Sequence, residues 1–142
     1  MRDIHEWLMQ IGCRAPEAAV SNDAQMTVAY HESYHLSYGQ KVVRQPRDIL
    51  RLLPGVKLVE LPESSWCCGS AGVYSITRPE QSAILLERKA RHIIATGASV
   101  LATSNLGCHL QIAGGLRAAG SAIQLLQPVA LLARAYHKEK IR

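Results

Sequence analysis

The stretch TRPEQSAILLERKARHIIATGASVLAT, residues 77–103, carries the strongest signal of the fold, because it predicts a long helix joined to a strand through one tight turn. Thr77 and Glu80 have the spacing of a capping box, in which a hydroxyl and a carboxylate each bond a free backbone N–H at the helix start. Gly97 is expected to end the helix. An apolar face lies between these signals, formed by Ala83, Leu86, Ala90, Ile93 and Ile94. Residues 99–103 are then predicted to form a strand.

The same alternation continues in both directions along the chain. Strands are predicted at 26–30, 56–61 and 122–126, and helices at 47–53, 108–119 and 128–136. The pair Gly114-Gly115 within one helix indicates either an early helix end or a close backbone contact. Strands that alternate with helices through short loops predict parallel pairing with right-handed crossovers. We therefore expect an α/β fold: a Rossmann-like open parallel sheet of about four strands with helices on both faces.

The ends of the chain are expected to differ from this regular part. Residues 3–11 predict a short amphipathic N-terminal helix with Ile4, Trp7, Leu8 and Ile11 on its apolar face. It is interpreted as a lid or as the tail of an upstream segment. The predicted organisation is an N-terminal helix and linker at 1–25, an α/β domain at 26–136, and a charged, frayed tail at 137–142.

Length and composition exclude several classes of protein. The chain has 142 residues, of which 48% are hydrophobic and 19% charged, as expected for one folded domain. No apolar run approaches the roughly 20 residues that cross a bilayer. The charged start of the chain does not resemble a secretory signal, and four cysteines are too few for a disulfide scaffold. These features predict a cytoplasmic protein with reduced thiols.

The positive charge does not predict a nucleic-acid partner. The formal net charge is +5, but aromatic residues are only 5% of the chain and the basic residues are scattered. Arg44, Arg47 and Arg51 share one helical face. A solvated surface is the first interpretation of this stripe, and docking to an acidic partner subunit is the second.

Cysteines and histidines follow three of the predicted strands. The first strand leads into HESYH (31–35), the second into WCCGSAG (66–72) and the third into SNLGCH (104–109). Because the carboxyl ends of parallel strands meet at one edge of a sheet, these loops are expected to converge. They carry Cys67, Cys68 and Cys108, and thiolates and imidazoles are preferred ligands of zinc and of iron–sulfur centres.

The local sequence favours a cluster over a single ion. The side chains of Cys67 and Cys68 should diverge, so each thiolate could bind a different iron. Small residues at 69–72 let the backbone approach closely, and Cys108 lies where a helix dipole favours a thiolate. Buried thiols without a ligand are the alternative, and a phosphate in the 69–72 loop is disfavoured because the P-loop Lys is missing. The remaining residues of these types are interpreted as inert or as surface residues: Cys13, His5, His92 and His137.

Together these segments resemble the cysteine-rich CCG domain of heterodisulfide-reductase subunits and of the iron–sulfur subunits of glycolate and lactate oxidation. The resemblance is closest to the C-terminal part of the glycolate oxidase iron–sulfur subunit, and it covers roughly residues 1–136. The motifs that carry it are at 28–36, 61–72 and 105–112, with further similarity at 72–80, 87–89 and 128–136.

The resemblance implies a non-catalytic subunit, or a fragment of one, of an oxidoreductase. Its iron–sulfur cluster, of the 4Fe–4S kind, would accept electrons from a flavin-containing subunit that oxidises a 2-hydroxy acid and pass them toward a membrane quinone pool. Such a subunit would be cytoplasmic and peripheral at the inner face of the membrane. The implied cofactor ligands are Cys67, Cys68 and Cys108, with His35 as the first choice of helper and His31 or the Tyr34 phenolate as alternatives.

Two departures from the family pattern bear on this cofactor. Tyr34 stands where the first family cysteine belongs, and Asn105 replaces the first cysteine of a Cys-x-x-Cys motif. Three thiols remain, so the cluster is expected to be incomplete or absent. The alternatives are a degenerate docking module without metal and a small zinc-binding domain. No ferredoxin-like cysteine run precedes the domain, so the sequence is interpreted as the C-terminal piece of a longer subunit or a truncated product.

Overall fold

The sheet has four parallel strands. The computed structural model describes residues 2–22 and 25–141. The strands are β1 (Met26–His31), β2 (Val56–Val59), β3 (Val100–Thr103) and β4 (Gln124–Leu126). They pair in the order β2-β1-β3-β4, and every pairing is parallel. The predicted α/β class, with an open parallel sheet of about four strands, is confirmed.

Helices cover both faces of this sheet, as predicted. They are α1 (Ile4–Gln10), α2 (Gln45–Leu52), α3 (Tyr74–Thr77), α4 (Pro79–Ala95), α5 (Leu106–Ala118) and α6 (Pro128–Ile141), and one turn of π-helix spans His35–Gly39. Side chains of β1 alternate between two cores. Val28 and Tyr30 face the core that includes residues of α2 and α6, whereas Ala29 faces the core shared with α4 and α5.

The strand order creates a switch point between β1 and β3. The chain leaves β1 for β2 on one side and then crosses to β3 on the other side of β1. In open α/β sheets, ligands bind at the carboxyl ends of strands where the order reverses. His31 and Thr103 pair at that end of β1 and β3, and both are buried. The fold therefore places a polar pair where a ligand is expected.

The start of α4 differs from the predicted capping box. Thr77 is the last residue of α3, and its hydroxyl donates to the Val73 carbonyl at 3.2 Å. No side chain among the described residues caps α4, which begins at Pro79 after Arg78. The capping-box prediction was wrong because Thr77 belongs to α3 and its hydroxyl bonds a carbonyl of that helix.

The buried face of α4 is rotated from the predicted one. Ser82 and Lys89 are buried, whereas Ala83 is exposed and Ile94 keeps 42% of its surface exposed. Lys89 can be buried because its ammonium donates a hydrogen bond to the Glu63 carbonyl. Apolar periodicity alone therefore misplaced the face by part of a turn.

The pair Gly114-Gly115 was predicted to mark either an early helix end or a close backbone contact. Gly115 makes a close contact. The helix α5 continues through it to Ala118, so the helix does not end early. A Cβ at this position would lie 2.7 Å from the Leu86 side chain of α4. The glycine lets the two helices approach more closely than any other residue would allow.

The N-terminal helix is present, but of its predicted apolar face only Leu8 packs against the core. Ile4, Trp7 and Ile11 are exposed, while His5 is buried. Asp3 accepts hydrogen bonds from the His5 backbone and from its ring Nδ1, at 2.9 and 2.6 Å, and His5 Nε2 lies 3.3 Å from Ser104 Oγ. His5 is therefore not the surface residue that was predicted.

The charged residues near the C-terminus are ordered rather than frayed. Helix α6 continues to Ile141, and Arg142 lies outside the described residues. Glu139 pairs with Arg14 at 2.7 Å, and Lys138 donates to Asn22 at 2.9 Å. The predicted tail was therefore wrong for residues 137–141, which pack against the segment after α1.

The basic stripe of α2 is not uniformly solvated. Arg47 is largely buried, lies 2.6 Å from the Glu32 carboxylate, and has its guanidinium 5.0 Å from the Tyr30 ring centre. Arg51 is exposed and pairs with Asp48 in its own helix. The prediction of a solvated surface was wrong for Arg47, which fixes the loop after β1.

Candidate metal centre

The three loops converge at the carboxyl edge of the sheet and bring together one histidine and two cysteines. One ring nitrogen of His31 and the Sγ atoms of Cys68 and Cys108 all lie within 4.8 Å of one another. His31 ends β1, Cys68 follows β2, and Cys108 lies in the first turn of α5. His31 and Cys68 are buried, and Cys108 is partly buried. The arrangement is compact enough for a metal centre.

His31 provides an independent sign that the site fits a metal. Its Nδ1 is buried and has no hydrogen-bond partner among residues 2–22 and 25–141. An unsatisfied buried polar atom costs about 1–3 kcal/mol. A metal bound at Nδ1 would satisfy this atom and offset part of the cost.

The two cysteines of the group shift one another's pKa in opposite directions. A hydrogen bond with Cys108, together with one from His31, lowers the pKa of Cys68 well below its usual range, although burial opposes the shift. The same contact with Cys68 raises the pKa of Cys108. The Ser70 hydroxyl lies 3.4 Å from Cys68 Sγ and 4.0 Å from Cys108 Sγ. One thiolate therefore forms readily, and a metal would displace the remaining proton.

Cys67 lies outside this group. It is exposed, and its Sγ accepts a hydrogen bond from the Gly69 N–H at 3.3 Å. Gly69 has φ +88°, and its carbonyl accepts from the Ser82 hydroxyl of α4 at 2.8 Å. Gln111 of α5 donates to the same hydroxyl at 2.9 Å. The cysteine loop is thus fixed to both helices.

Asn105 orients Cys108 instead of adding a ligand. It is the N-cap of α5, and its Oδ1 accepts a hydrogen bond from the Cys108 N–H at 3.0 Å. Asparagine is among the preferred N-cap residues because its side chain satisfies an otherwise free backbone donor. The replacement of the family cysteine therefore leaves the start of α5 intact.

A cavity of about 450 Å³ opens beside Cys108. Its lining includes Tyr34, His35 and Asn105. Tyr34 is 66% exposed, and its ring stacks on Tyr38 with the ring centres 4.5 Å apart. His35, the predicted helper ligand, is exposed on this cavity and lies outside the three-residue group. Its role as a ligand stays a prediction.

Residues of α4 that the sequence analysis did not identify clamp the loop before the cysteines. Glu63 has φ +54°, and its carboxylate accepts from Arg88 Nε at 2.9 Å and lies 3.4 Å from His92 Nε2. The Arg88 guanidinium lies 4.7 Å from the centre of the Trp66 ring. These contacts fix the residue next to Cys67.

Lys89 adds a buried positive charge to this clamp. Its Nζ donates to the Glu63 carbonyl. Burial lowers the pKa of Lys89, and the nearby Cys68 thiolate opposes that shift. The charge complementarity is what a thiolate site needs. In the sequence, the role of Lys89 was indicated only by its place in the 87–89 segment that resembles the family.

Within residues 2–22 and 25–141, every helix is too short or too polar to cross a bilayer.

Comparisons with known proteins agree with the geometry. A family model described as a cysteine-rich domain, CCG, matches residues 28–113. Lactate utilization protein A of Halalkalibacterium halodurans is 32% identical over 123 residues, covering 87% of this chain and 49% of that protein. The Oceanobacillus iheyensis protein of that name is 32% identical, with 74% and 43% covered, and lactate utilization protein A 2 of Bacillus cereus is 31% identical, with 77% and 45% covered. The chain thus spans about half the length of these relatives. The matched region contains the whole three-residue group, and the chain belongs to the family of cysteine-rich CCG domains.

Proposed function

We propose that this chain is the cysteine-rich domain of an iron–sulfur electron-transfer subunit that acts in the oxidation of a 2-hydroxy acid such as lactate or glycolate. The observation that carries the proposal is the group of His31, Cys68 and Cys108 at the switch point of the sheet. The names of the relatives, which concern lactate utilization, support this direction.

The centre would be held by Cys68, Cys108 and His31, with Cys67 and His35 as further candidate ligands at its exposed side. Bound there, an iron–sulfur cluster supplies one-electron transfer. The chain's own residues prepare the site: Gly69 donates an N–H to sulfur, and the buried ammonium of Lys89 balances negative charge.

A flavin-containing oxidase subunit is the proposed electron donor. The chain would lie in the cytoplasm, peripheral to the inner face of the membrane, so that electrons reach a quinone. Support comes from the family resemblance and from the exposed side of the centre, where Cys67 and the cavity beside Cys108 are open to a partner.

Zinc binding is the second candidate, and the compactness of the group favours it. Three ligand atoms within 4.8 Å of one another suit a single ion, and one nitrogen with two sulfurs is a ligand set known for zinc with an open fourth position. A zinc site predicts a colourless protein that loses both metal and stability to chelators.

Anaerobic purification followed by iron, sulfide and zinc analysis tests the proposal. Iron and sulfide in a coloured protein support the cluster, whereas about one zinc per chain in a colourless protein supports the second candidate. A Cys68→Ser/Cys108→Ser variant should lose the metal, and Cys13→Ser is the matched control because Cys13 lies outside the group. A folded wild-type protein that contains neither iron nor zinc after anaerobic purification would contradict both candidates.

The Tyr34→Cys variant tests the remaining alternative, a docking module that has lost its cofactor. Tyr34 stands in place of a family cysteine and lines the cavity beside Cys108. A brown chromophore that appears only in this variant would favour the docking module over the cluster proposal.

A further inference from the structure

Helix α4 exposes a stripe of four residues on the side away from the sheet. Ile84 and Ile94 are 60% and 42% exposed, and Glu87 and Arg91 are exposed between them. The 3-4-3 spacing places all four side chains on one face of the helix. Neither Glu87 nor Arg91 has an ionic partner in the described parts of the chain.

The stripe is symmetric about position 89. Glu87 and Arg91 lie two residues to either side of it, and Ile84 and Ile94 lie five residues to either side. When two copies of such a helix pack antiparallel about a twofold axis, each glutamate faces the arginine of the other copy and each Ile84 faces an Ile94. A twofold contact needs a surface that is complementary to itself, and this stripe has that property in both charge and apolar character.

The surface beside the stripe allows a second helix to approach. A groove of about 400 Å³ lies between α4 and α5, and its lining includes the small residues Ala83, Gly115, Ala118 and Ala119. Small residues at a helix contact shorten the distance between helix axes. Glu87, Arg91 and Ile94 line the same groove, so the stripe and the groove form one surface.

We infer that this surface binds a second copy of the chain, with α4 packed antiparallel against α4 of the partner. The self-complementary charge pattern argues for a second copy over an unrelated protein, because an unrelated partner would not require the charges to be placed symmetrically. The inference is independent of the proposed metal centre, since none of the residues in the stripe belongs to the group of His31, Cys68 and Cys108.

Sedimentation velocity of the full chain over a range of concentrations tests the inference, with a thiol reductant present so that exposed Cys67 cannot cross-link copies. Wild type should form a concentration-dependent dimer. Glu87→Arg and Arg91→Glu should each weaken it by about tenfold or more, because each places like charges opposite one another twice. Arg134→Glu on the exposed side of α6 is the matched control and should leave the dimer unchanged.

Two further measurements make the result specific to the antiparallel arrangement. The double variant Glu87→Arg/Arg91→Glu should recover wild-type dimerisation to within about threefold, since the two effects are coupled across the interface. An equimolar mixture of the two single variants should form a heterodimer, because every facing pair is then of opposite charge. A wild-type chain that stays monomeric up to about 1 mM, where even a 4 kcal/mol association would appear, would overturn the inference. The inference would also be overturned if neither single charge reversal weakened the dimer, or if the double variant did not restore it.

Discussion

Replacement of Gly69 by alanine should destabilise the cysteine loop far more than the same change at Gly72. Both glycines lie in the loop after β2, and both have positive φ, at +88° and +52°. An added Cβ at Gly69 would lie 2.6 Å from the Ser82 backbone oxygen and 2.9 Å from Ser82 Oγ, whereas none of the described atoms lies within 4 Å of a Cβ at Gly72. The pair therefore separates the cost of the backbone conformation from the cost of the contact with α4.

The magnitudes follow from those two terms. A non-glycine residue in the left-handed region costs about 1–2 kcal/mol, and this term applies to both variants. The contact of the added Cβ with the backbone of α4 costs about 1–3 kcal/mol more, because a helix backbone cannot change rotamer to relieve a clash as a side chain can. We expect Gly69→Ala to lower the free energy of unfolding by about 2–5 kcal/mol and Gly72→Ala by about 1–2 kcal/mol.

Urea unfolding of the metal-free chain, followed by circular dichroism, measures the difference directly. Gly69→Ala should also weaken metal binding, because Cys68 precedes the displaced residue. Equal stability losses in the two variants would mean that the loop does not pack on α4 at Gly69.

Three further outcomes are expected. Lys89→Met should lower the free energy of unfolding by about 1–2 kcal/mol in urea unfolding, because the Glu63 carbonyl loses a donor, and a stability equal to wild type would show that the buried ammonium has no structural role. Burial raises the pKa of Tyr30 to about 12 from 10, so the folded state holds the phenolic proton more tightly. Stability is then fully present below pH 10 and falls by about 2–3 kcal/mol as the pH rises toward 12, a loss that Tyr30→Phe should remove and that pH-dependent unfolding would measure. Cys67→Ser should retain more metal than Cys68→Ser in elemental analysis, since Cys67 lies outside the three-residue group; the reverse order would contradict the assignment.

The fold could be predicted because its signals are local. Alternating strand and helix patterns, ended by Gly97 and by the Pro54-Gly55 pair, specify a parallel α/β sheet without knowledge of any distant contact. The predictions that failed concern burial decided by partners far along the chain. Lys89 is buried against the Glu63 carbonyl, and His5 is buried beside the Ser104 hydroxyl. Neither contact can be read from the periodicity of apolar residues in a helix.

In the candidate site, too, some features could be predicted from the local sequence and others depend on distant contacts. The convergence of Cys68 and Cys108 could be predicted from the sequence alone, because the carboxyl ends of parallel strands lie at one edge of the sheet. The choice between His31 and His35 could not, because it depends on the strand continuing one residue further than expected, so that His31 pairs with Thr103 at the sheet edge. The π-helical turn that begins at His35 then leaves that side chain exposed at the cavity.

Metal affinity in two histidine variants tests whether His31 holds a metal centre together with Cys68 and Cys108. Anaerobic competition titration against a chelator would compare wild type, His31→Gln and His35→Gln. We expect His31→Gln to weaken binding by at least about tenfold, the scale set even by loss of a supporting residue in a metal site, and His35→Gln to stay closer to wild type. Unchanged affinity in His31→Gln with a large loss in His35→Gln would instead make His35 the ligand.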